Sequence, residues 1–277
     1  MGFFRDINRF VNEKKRGMLS SLFFGKSRWQ RTFEYLYRIS LKGMNIGLGP
    51  SLADSGEVGV IRRVAAKVTA PGGAVLFDVG ANEGEYSRLL VSHFPGDSRI
   101  YAFEPSKRTF ERLTAAVKDL PTVTCHNAGL GSIKGTLTLH YNIDGSDQAS
   151  VHGKRSGQAG EVSETVTITT IDAFCRDNGI KKIDFMKIDV EGHELEVLKG
   201  AASMLEANAI DYIQFEFGKP NIESRTFFRD FYDMLSPRYE IYRVLKDGVR
   251  RIDRYRELHE VFVVVTNFLA VRKNLSI

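Results

Sequence analysis

The chain has 277 residues, 43% hydrophobic and 26% charged, with two cysteines and a formal net charge of +5. These proportions suit a globular protein and exclude collagen-like, disulfide-rich and disordered chains. The absence of a membrane-length apolar run, of a secretory signal and of any metal or redox spacing between Cys125 and Cys175 predicts a cytoplasmic protein with both cysteines as small buried hydrophobes.

The positive charge is confined to the start of the chain. Residues 1–42 hold ten Lys/Arg against three Asp/Glu, and residues 43–277 hold 29 against 31. The body of the chain therefore carries no nucleic-acid footprint. The opening segment also holds Phe3, Phe4, Phe10, Leu22, Phe23, Phe24, Trp29, Phe33, Tyr35 and Tyr37. A basic, aromatic arm suits an anionic membrane surface, here the inner face of the membrane, or a partner. Packing on its own domain, or on a second copy in a homodimer, is the commoner use of such a helix. Met1-Gly2 begins a myristoylation pattern, but Asp6 stands where Ser or Thr is required.

Beyond the arm, Ser55 is positioned to cap a helix running to about Val68. The arm and this lead-in helix are expected to occupy residues 1–70, and the main domain 71–277. "AVLFDVGA" (74–81) has strand length, "EYSRLLVSHF" (85–94) is helical, and "RIYAFEP" (99–105) is a strand stopped by proline. A helix over 106–120, with Ser106 as cap, and a strand over 123–130 follow. "GTLTLHYN" (135–142) alternates like an added strand or hairpin arm, and 143–163 reads as loop. A strand and a short helix capped by Thr170 or Asp172 lead to a strand from Ile183 and a helix to about Asn208. Further strands are expected over 210–218, 239–245 and 259–268, with a helix near 224–236. The last two strands are too close in sequence for a crossover and so pair antiparallel. The earlier βα alternation predicts a parallel sheet covered by helices on both faces.

Two motifs carry chemistry. In "MKIDVEGHELEVLKGA" (186–201), Lys187, Asp189, Glu191 and His193 recur at alternate positions as a buried strand ends and turns at Gly192. Alternate residues of a strand share a face. Charges at that end are costly unless paired or used, and it is where open α/β sheets hold ligands. The other motif, "DVGANEG" (78–84), opens the first helix with spacing D-x-G-x-x-x-G. Glu104, at the end of the next strand, can accept from both hydroxyls of a ribose. Together they indicate a nucleoside-containing cofactor.

The segments "FDVGANEGEYS" (77–87), "AFEP" (102–105), "KIDVEGHELEVLKGA" (187–201) and "QFEFG" (214–218) resemble the FkbM-type methyltransferases, which use S-adenosylmethionine. "MNIGLG" (44–49) and "SGE" (55–57) resemble the lead-in of such proteins. The resemblance implies a Rossmann-like class I methyltransferase fold, with a mostly parallel seven-stranded sheet, an antiparallel last strand and an N-terminal helical extension. It implies cofactor contacts at Asp78, Gly80, Asn82 and Gly84, continued by Tyr86 and Ser87. Ribose would sit on Glu104 beside Pro105 and Ser106, adenine near Asn127 and Ala128, and the methyl group near Asp189. Gly129 departs from the family, which more often carries Ala there.

Methyl transfer from a sulfonium to a hydroxyl needs alignment and a base for the hydroxyl proton. Asp189 and His193 are the candidate bases, and Glu216, at the mouth of the next strand, can orient the base or hold the acceptor. Glu191 is a further candidate, or serves the helix N-terminus as Glu194 is expected to. Asp189, His193 and Glu216 could instead hold a divalent cation, Mg or Mn. The resemblance implies an acceptor hydroxyl on a sugar, a glycan or a glycosylated or polyketide metabolite. The alternatives are an NAD- or nucleotide-sugar-dependent oxidoreductase, which lacks its G-x-G-x-x-G here, and a non-catalytic membrane-associated binding protein.

Overall fold

The computed structural model describes residues 22–47, 55–68, 70, 72–94, 96–142 and 161–277. The aromatic and basic residues before Leu22, the Met1-Gly2 pattern and most of the expected 143–163 loop lie outside these residues. The chain divides into a unit ending at Ile46 and a unit beginning at Gly47.

Within the first unit, helix α1 spans Gln30–Gly43. Arg31, Arg38 and Lys42 fall within one arc of its helical wheel. Tyr35, Leu36, Tyr37 and Ile39 are exposed. Phe24 meets Phe33 edge-on, with ring centroids 5.7 Å apart.

The second unit begins with α2, Glu57–Ala65. Ser55 precedes the N-cap and meets the helix start, its hydroxyl oxygen accepting from the Glu57 N–H at 3.3 Å. Gly56 is the N-cap residue, and the Ser55 hydroxyl donates to Glu57 Oε2 at 2.8 Å. The alternation then runs β1 (Val75–Val79), α3 (Glu85–His93), β2 (Arg99–Phe103), α4 (Lys107–Ala116), β3 (Val123–His126) and β4 (Gly129–Leu130). It continues with β5 (Gly135–Asn142), β6 (Glu161–Thr169), α5 (Ile171–Asp177), β7 (Ile183–Ile188), α6 (Glu194–Lys199) and α7 (Ala202–Glu206). The chain ends with β8 (Ile210–Phe217), α8 (Asn221–Ser224), α9 (Phe228–Leu235), β9 (Tyr239–Leu245), β10 (Gly248–Arg251) and β11 (Thr266–Arg272). Of the two expected caps on α5, Thr170 acts, accepting from the Ala173 N–H at 3.1 Å.

The main sheet runs β10-β9-β11-β8-β7-β1-β2-β3. The strands from β3 through β8 are mutually parallel, and β11 is antiparallel to both its neighbours. This is a Rossmann-like α/β fold with a mostly parallel sheet, as expected. Three details differ from expectation. The sheet has eight strands rather than seven. The extra strand, β10, turns back on β9 through Lys246-Asp247. The antiparallel last strand lies inside the sheet, and it begins at Thr266 rather than 259. Thr266 pairs Phe217, the last residue of β8, so residues 259–265 run past the strand's end. The expected hairpin arm β5 pairs antiparallel with β6, and β4 completes a separate three-stranded sheet.

Both faces of the main sheet are covered, which explains its unbroken apolar strands. On one face Phe77, Val79, Met186, Ile188, Ile213 and Phe215 pack with α5, α6 and α9. On the other, Leu76, Ile100, Phe185 and Tyr212 pack with Val60, Ile61 and Val64 of α2 and Leu90 of α3. The chain order reverses beside β1, whose neighbours are β2 and β7. Ligand crevices open at that switch point, beyond the carboxyl ends of the strands.

Candidate active site

A cleft enclosing about 150 Å³ opens there. Its walls come from the ends of three strands. Val79, Gly80 and Asn82 follow β1; Phe103, Glu104 and Pro105 close β2; Asp189, Val190, Glu191 and His193 follow β7. Leu137, Leu139, Val166 and Ile168 of the small sheet, with Thr109, Gly129 and Leu130, add an apolar side.

The first turn is shaped by the protein's own packing. Gly80 has φ +83°, and a β-carbon there would lie 1.8 Å from the Asp189 carbonyl oxygen. Only glycine lets the mouths of β1 and β7 close this tightly. Asn82 (φ 46°) and Glu191 (φ 52°) are non-glycine residues in the left-handed region. Strain of this kind collects at functional sites, and both residues line the cleft.

Glu104 is 8% exposed. It accepts from the Asn82 N–H at 3.1 Å and the Ser106 N–H at 3.0 Å. Burial pushes its pKa up to about 7, against the pull of those two hydrogen bonds. A carboxylate has about four lone-pair sites, so acceptor capacity remains for a diol. Asp78 lies deeper, accepting from the Ser87 hydroxyl at 2.5 Å. Burial raises its pKa to about 6, with the Ser87 hydrogen bond opposing.

Several expected cofactor residues lie behind the cleft wall. Tyr86 is buried against Phe185, its ring stacked at 6.4 Å, and its hydroxyl donates to Gln214. Ser87 serves Asp78, and the Ser106 side chain is buried. The Asn127 amide donates to the carbonyls of Glu104 and Pro105, at 3.0 and 2.9 Å. Neither Asn127, Ala128 nor Gly84 is a lining residue. A β-carbon at Gly129 would sit 2.6 Å from Ile168 Cδ1 and 3.4 Å from Pro105 Cβ.

On the opposite wall, Asp189 has a side-chain exposure of 35% and binds Lys187 Nζ through Oδ2 at 3.0 Å. His193 is the N-cap residue of α6, and a β-carbon at Gly131 would come 3.2 Å from its Nε2. Glu194 is buried and holds the turn between β7 and α6. Its Oε1 accepts from the N–H groups of Val190 and Gly192 at 3.1 and 3.0 Å. Burial pushes its pKa up to about 7, against those bonds. Glu216 is half-buried and accepts from Asn267 Nδ2 at 3.1 Å. Burial and the Asp189 charge hold its carboxyl well above the ordinary range, with Lys187 opposing. Among the described residues, no group of three or more His, Cys, Asp or Glu is arranged to hold a metal ion.

Sequence reasoning placed Lys187 in the strand-end motif without giving it a role, and it missed Glu57, which stands in a quoted segment. Lys187 is 2% exposed and Glu57 4%, and their ends lie 3.0 Å apart. The only local sign was a lysine in the middle of an apolar strand.

The profile of the Methyltransferase FkbM domain matches residues 78–244. The hexuronic acid methyltransferase AglP of Haloferax volcanii is 33% identical over 158 residues, covering 55% of this chain and 59% of that protein. The methyltransferase sdnD of Sordaria araneosa is 31% identical over 159 residues, covering 47% of this chain and 61% of that protein. The 2-O-methyltransferase NoeI of Sinorhizobium fredii is 23% identical over 187 residues, covering 63% and 76%. The chain thus spans about six tenths of the first two relatives.

Proposed function

The chain belongs to the FkbM methyltransferase family, and from that premise we propose that it transfers a methyl group from S-adenosylmethionine to a hydroxyl of a sugar, a glycan or a glycosylated metabolite. One observation carries the reading. Glu104 and Asp189, from the ends of the two strands that flank β1, face a single cleft across the Gly80 turn. A relative named for hexuronic acid and another named for 2-O-methylation support a sugar hydroxyl as acceptor.

The residues present fit the cofactor. Glu104 offers a carboxylate to a ribose diol, and its two backbone hydrogen bonds fix its direction. Leu139, Val166, Ile168 and Pro105 offer an apolar seat to the adenine ring. The acidic wall at Asp189 and Glu191 complements a positively charged sulfur. S-adenosylmethionine supplies an electrophilic methyl group with a neutral thioether as leaving group.

What the chain adds is position and proton transfer. Asp189, held by Lys187, marks the reacting end of the cleft. His193, on the acceptor side, takes the hydroxyl proton on a ring nitrogen. A neutral imidazole is the form that can do so. Glu194 and Asn221 brace this wall, since Gly218 donates to Asn221 Oδ1 at 2.8 Å and Asn221 reaches Glu194 at 3.5 Å. Glu216 lies beside Asp189 electrostatically and would orient the acceptor.

The test is direct. Calorimetry should show binding of S-adenosylmethionine and no binding of NAD. Transfer of label from methyl-labelled cofactor to a panel of neutral and uronic sugars should then identify the acceptor. Binding of NAD in place of S-adenosylmethionine would overturn the reading.

A further inference from the structure

A chain of buried polar contacts stands behind the Asp189 wall. Lys187 Nζ lies 3.0 Å from Asp189 Oδ2 and 3.0 Å from Glu57 Oε1. It also sits 5.0 Å from the centroid of the Tyr86 ring. Gln214 donates to Glu57 Oε1 at 2.7 Å and to Asn267 Oδ1 at 3.0 Å, and it accepts from the Tyr86 hydroxyl at 2.9 Å. Asn267 in turn donates to Glu216 at 3.1 Å. Residues of α2, α3, β7, β8 and β11 thus connect Asp189 to Glu216. Glu57 precedes the stretch 78–244 that matches the family profile.

Stability gives little reason for this arrangement. A buried ion pair is often replaceable by packed apolar groups without loss. Its consequence is geometric: Glu57 holds the ammonium of Lys187 in place, and the ammonium holds Asp189. Burial opposes the Lys187 charge, and Asp189 and Glu57 more than overcome it, keeping its pKa above the usual lysine value.

We infer that Glu57 is a positioning residue for methyl transfer: acting through Lys187, it sets the orientation of Asp189 and the electrostatic field at the buried carboxyl groups around it. The inference rests on the functional reading above. The charged and titratable groups that face the pair are Asp78, Tyr86, Asp189 and Glu216, with Glu191 acting on Glu216. Glu57 raises the pKa of both Asp78 and Glu216, and Lys187 lowers both.

Calorimetric affinity of the full chain for S-adenosylmethionine, measured from pH 5.5 to 8, tests this. Acidification should weaken binding in the wild type as buried carboxylates near the site, Asp78 among them, are protonated. In Glu57→Gln the Lys187 charge is less offset, so these carboxylates persist to lower pH. The acid loss of affinity should shrink about threefold, and in Lys187→Met it should grow about threefold. Gln214→Met breaks the hydrogen bonds but leaves every charge, and should keep the wild-type pH profile. If Lys187→Met fails to fold, Glu57→Gln against Gln214→Met decides alone. A Glu57→Gln profile parallel to the wild type would mean a merely structural role and overturn the inference. A wild type that binds no S-adenosylmethionine at any pH would overturn the functional reading and this inference with it.

Discussion

Glu104→Gln separates the charge of the proposed ribose ligand from its shape. In the ligand-free protein both carboxylate oxygens accept backbone N–H groups, from Asn82 and Ser106. Glutamine has one acceptor oxygen, so one N–H must face an amide NH₂. Any bond to the ribose also loses its charged acceptor. Hydrogen bonds to charged groups contribute about 1.5–3 kcal/mol, which corresponds to a Kd weakened about 10- to 150-fold. The same substitution has a second signature. Burial raises the Glu104 pKa from 4.5 to about 7. The folded state therefore holds the proton more tightly than the unfolded chain. Stability from this group is complete below pH 4.5 and is lost as pH rises towards 7. The full loss is about 3 kcal/mol, at 1.36 kcal/mol per pKa unit. Glutamine does not titrate, so Glu104→Gln should flatten the ligand-free stability profile across that window. Isothermal calorimetry at pH 8 and thermal unfolding from pH 4.5 to 8 read the two effects. Unchanged affinity in a folded variant would remove Glu104 from the ribose site. An unchanged pH profile would refute the burial argument.

His193→Ala should lower turnover about 10²–10⁴-fold, the usual range for a positioned acid–base group, while calorimetry shows cofactor affinity nearly unchanged. Activity lost to a chelator and restored by Mg or Mn would instead revive the divalent-cation reading of Asp189, His193 and Glu216. Gly129→Ala places a methyl 2.6 Å from Ile168 Cδ1 and 3.4 Å from Pro105 Cβ, so chemical denaturation should show a loss of about 1–3 kcal/mol from overpacking. Adding Ile168→Val, which removes Cδ1, should recover most of it. Removal of residues 1–46 should leave cofactor affinity intact and reduce co-sedimentation with anionic vesicles. Unfolding of that truncated chain would show the arm to be part of the core.

The parallel core was legible because its strands are covered on both faces. Such strands read as short apolar runs, as in Val75–Val79 and Ile183–Ile188. The strand-end acids were legible because ionisable groups interrupt those runs. Other features depend on partners far away in sequence. The helix expected to reach Asn208 is broken after Lys199, where a β-carbon at Gly200 would lie 2.0 Å from the Gly131 carbonyl oxygen. Residues 259–265 are apolar enough for a strand, but the β8 register that β11 follows ends at Phe217. The extra strand β10 carried little signal, since its two-residue turn is Lys246-Asp247 rather than a glycine-containing dipeptide. It stood in a stretch whose charges masked the alternation.

Glu57 and Lys187 mark the limit of sequence reasoning most clearly. No periodicity relates positions 130 residues apart, and each alone has an ordinary explanation. Glu57 stands in the first turn of α2, where an acid favours the helix N-terminus. Lys187 is one polar residue in a strand otherwise flanked by apolar ones. Only the packing of α2 against the sheet, through Val60, Ile61 and Val64, brings Glu57 within reach of the ammonium that also holds Asp189. The unit beginning at Gly47 therefore includes α2, although the sequence placed that helix with the arm. Its apolar face secures the sheet, and its first residue reaches into the charge network behind the cleft. The same helix thus links the fold's packing to the electrostatics of the site, and a boundary drawn at residue 71 would cut that link.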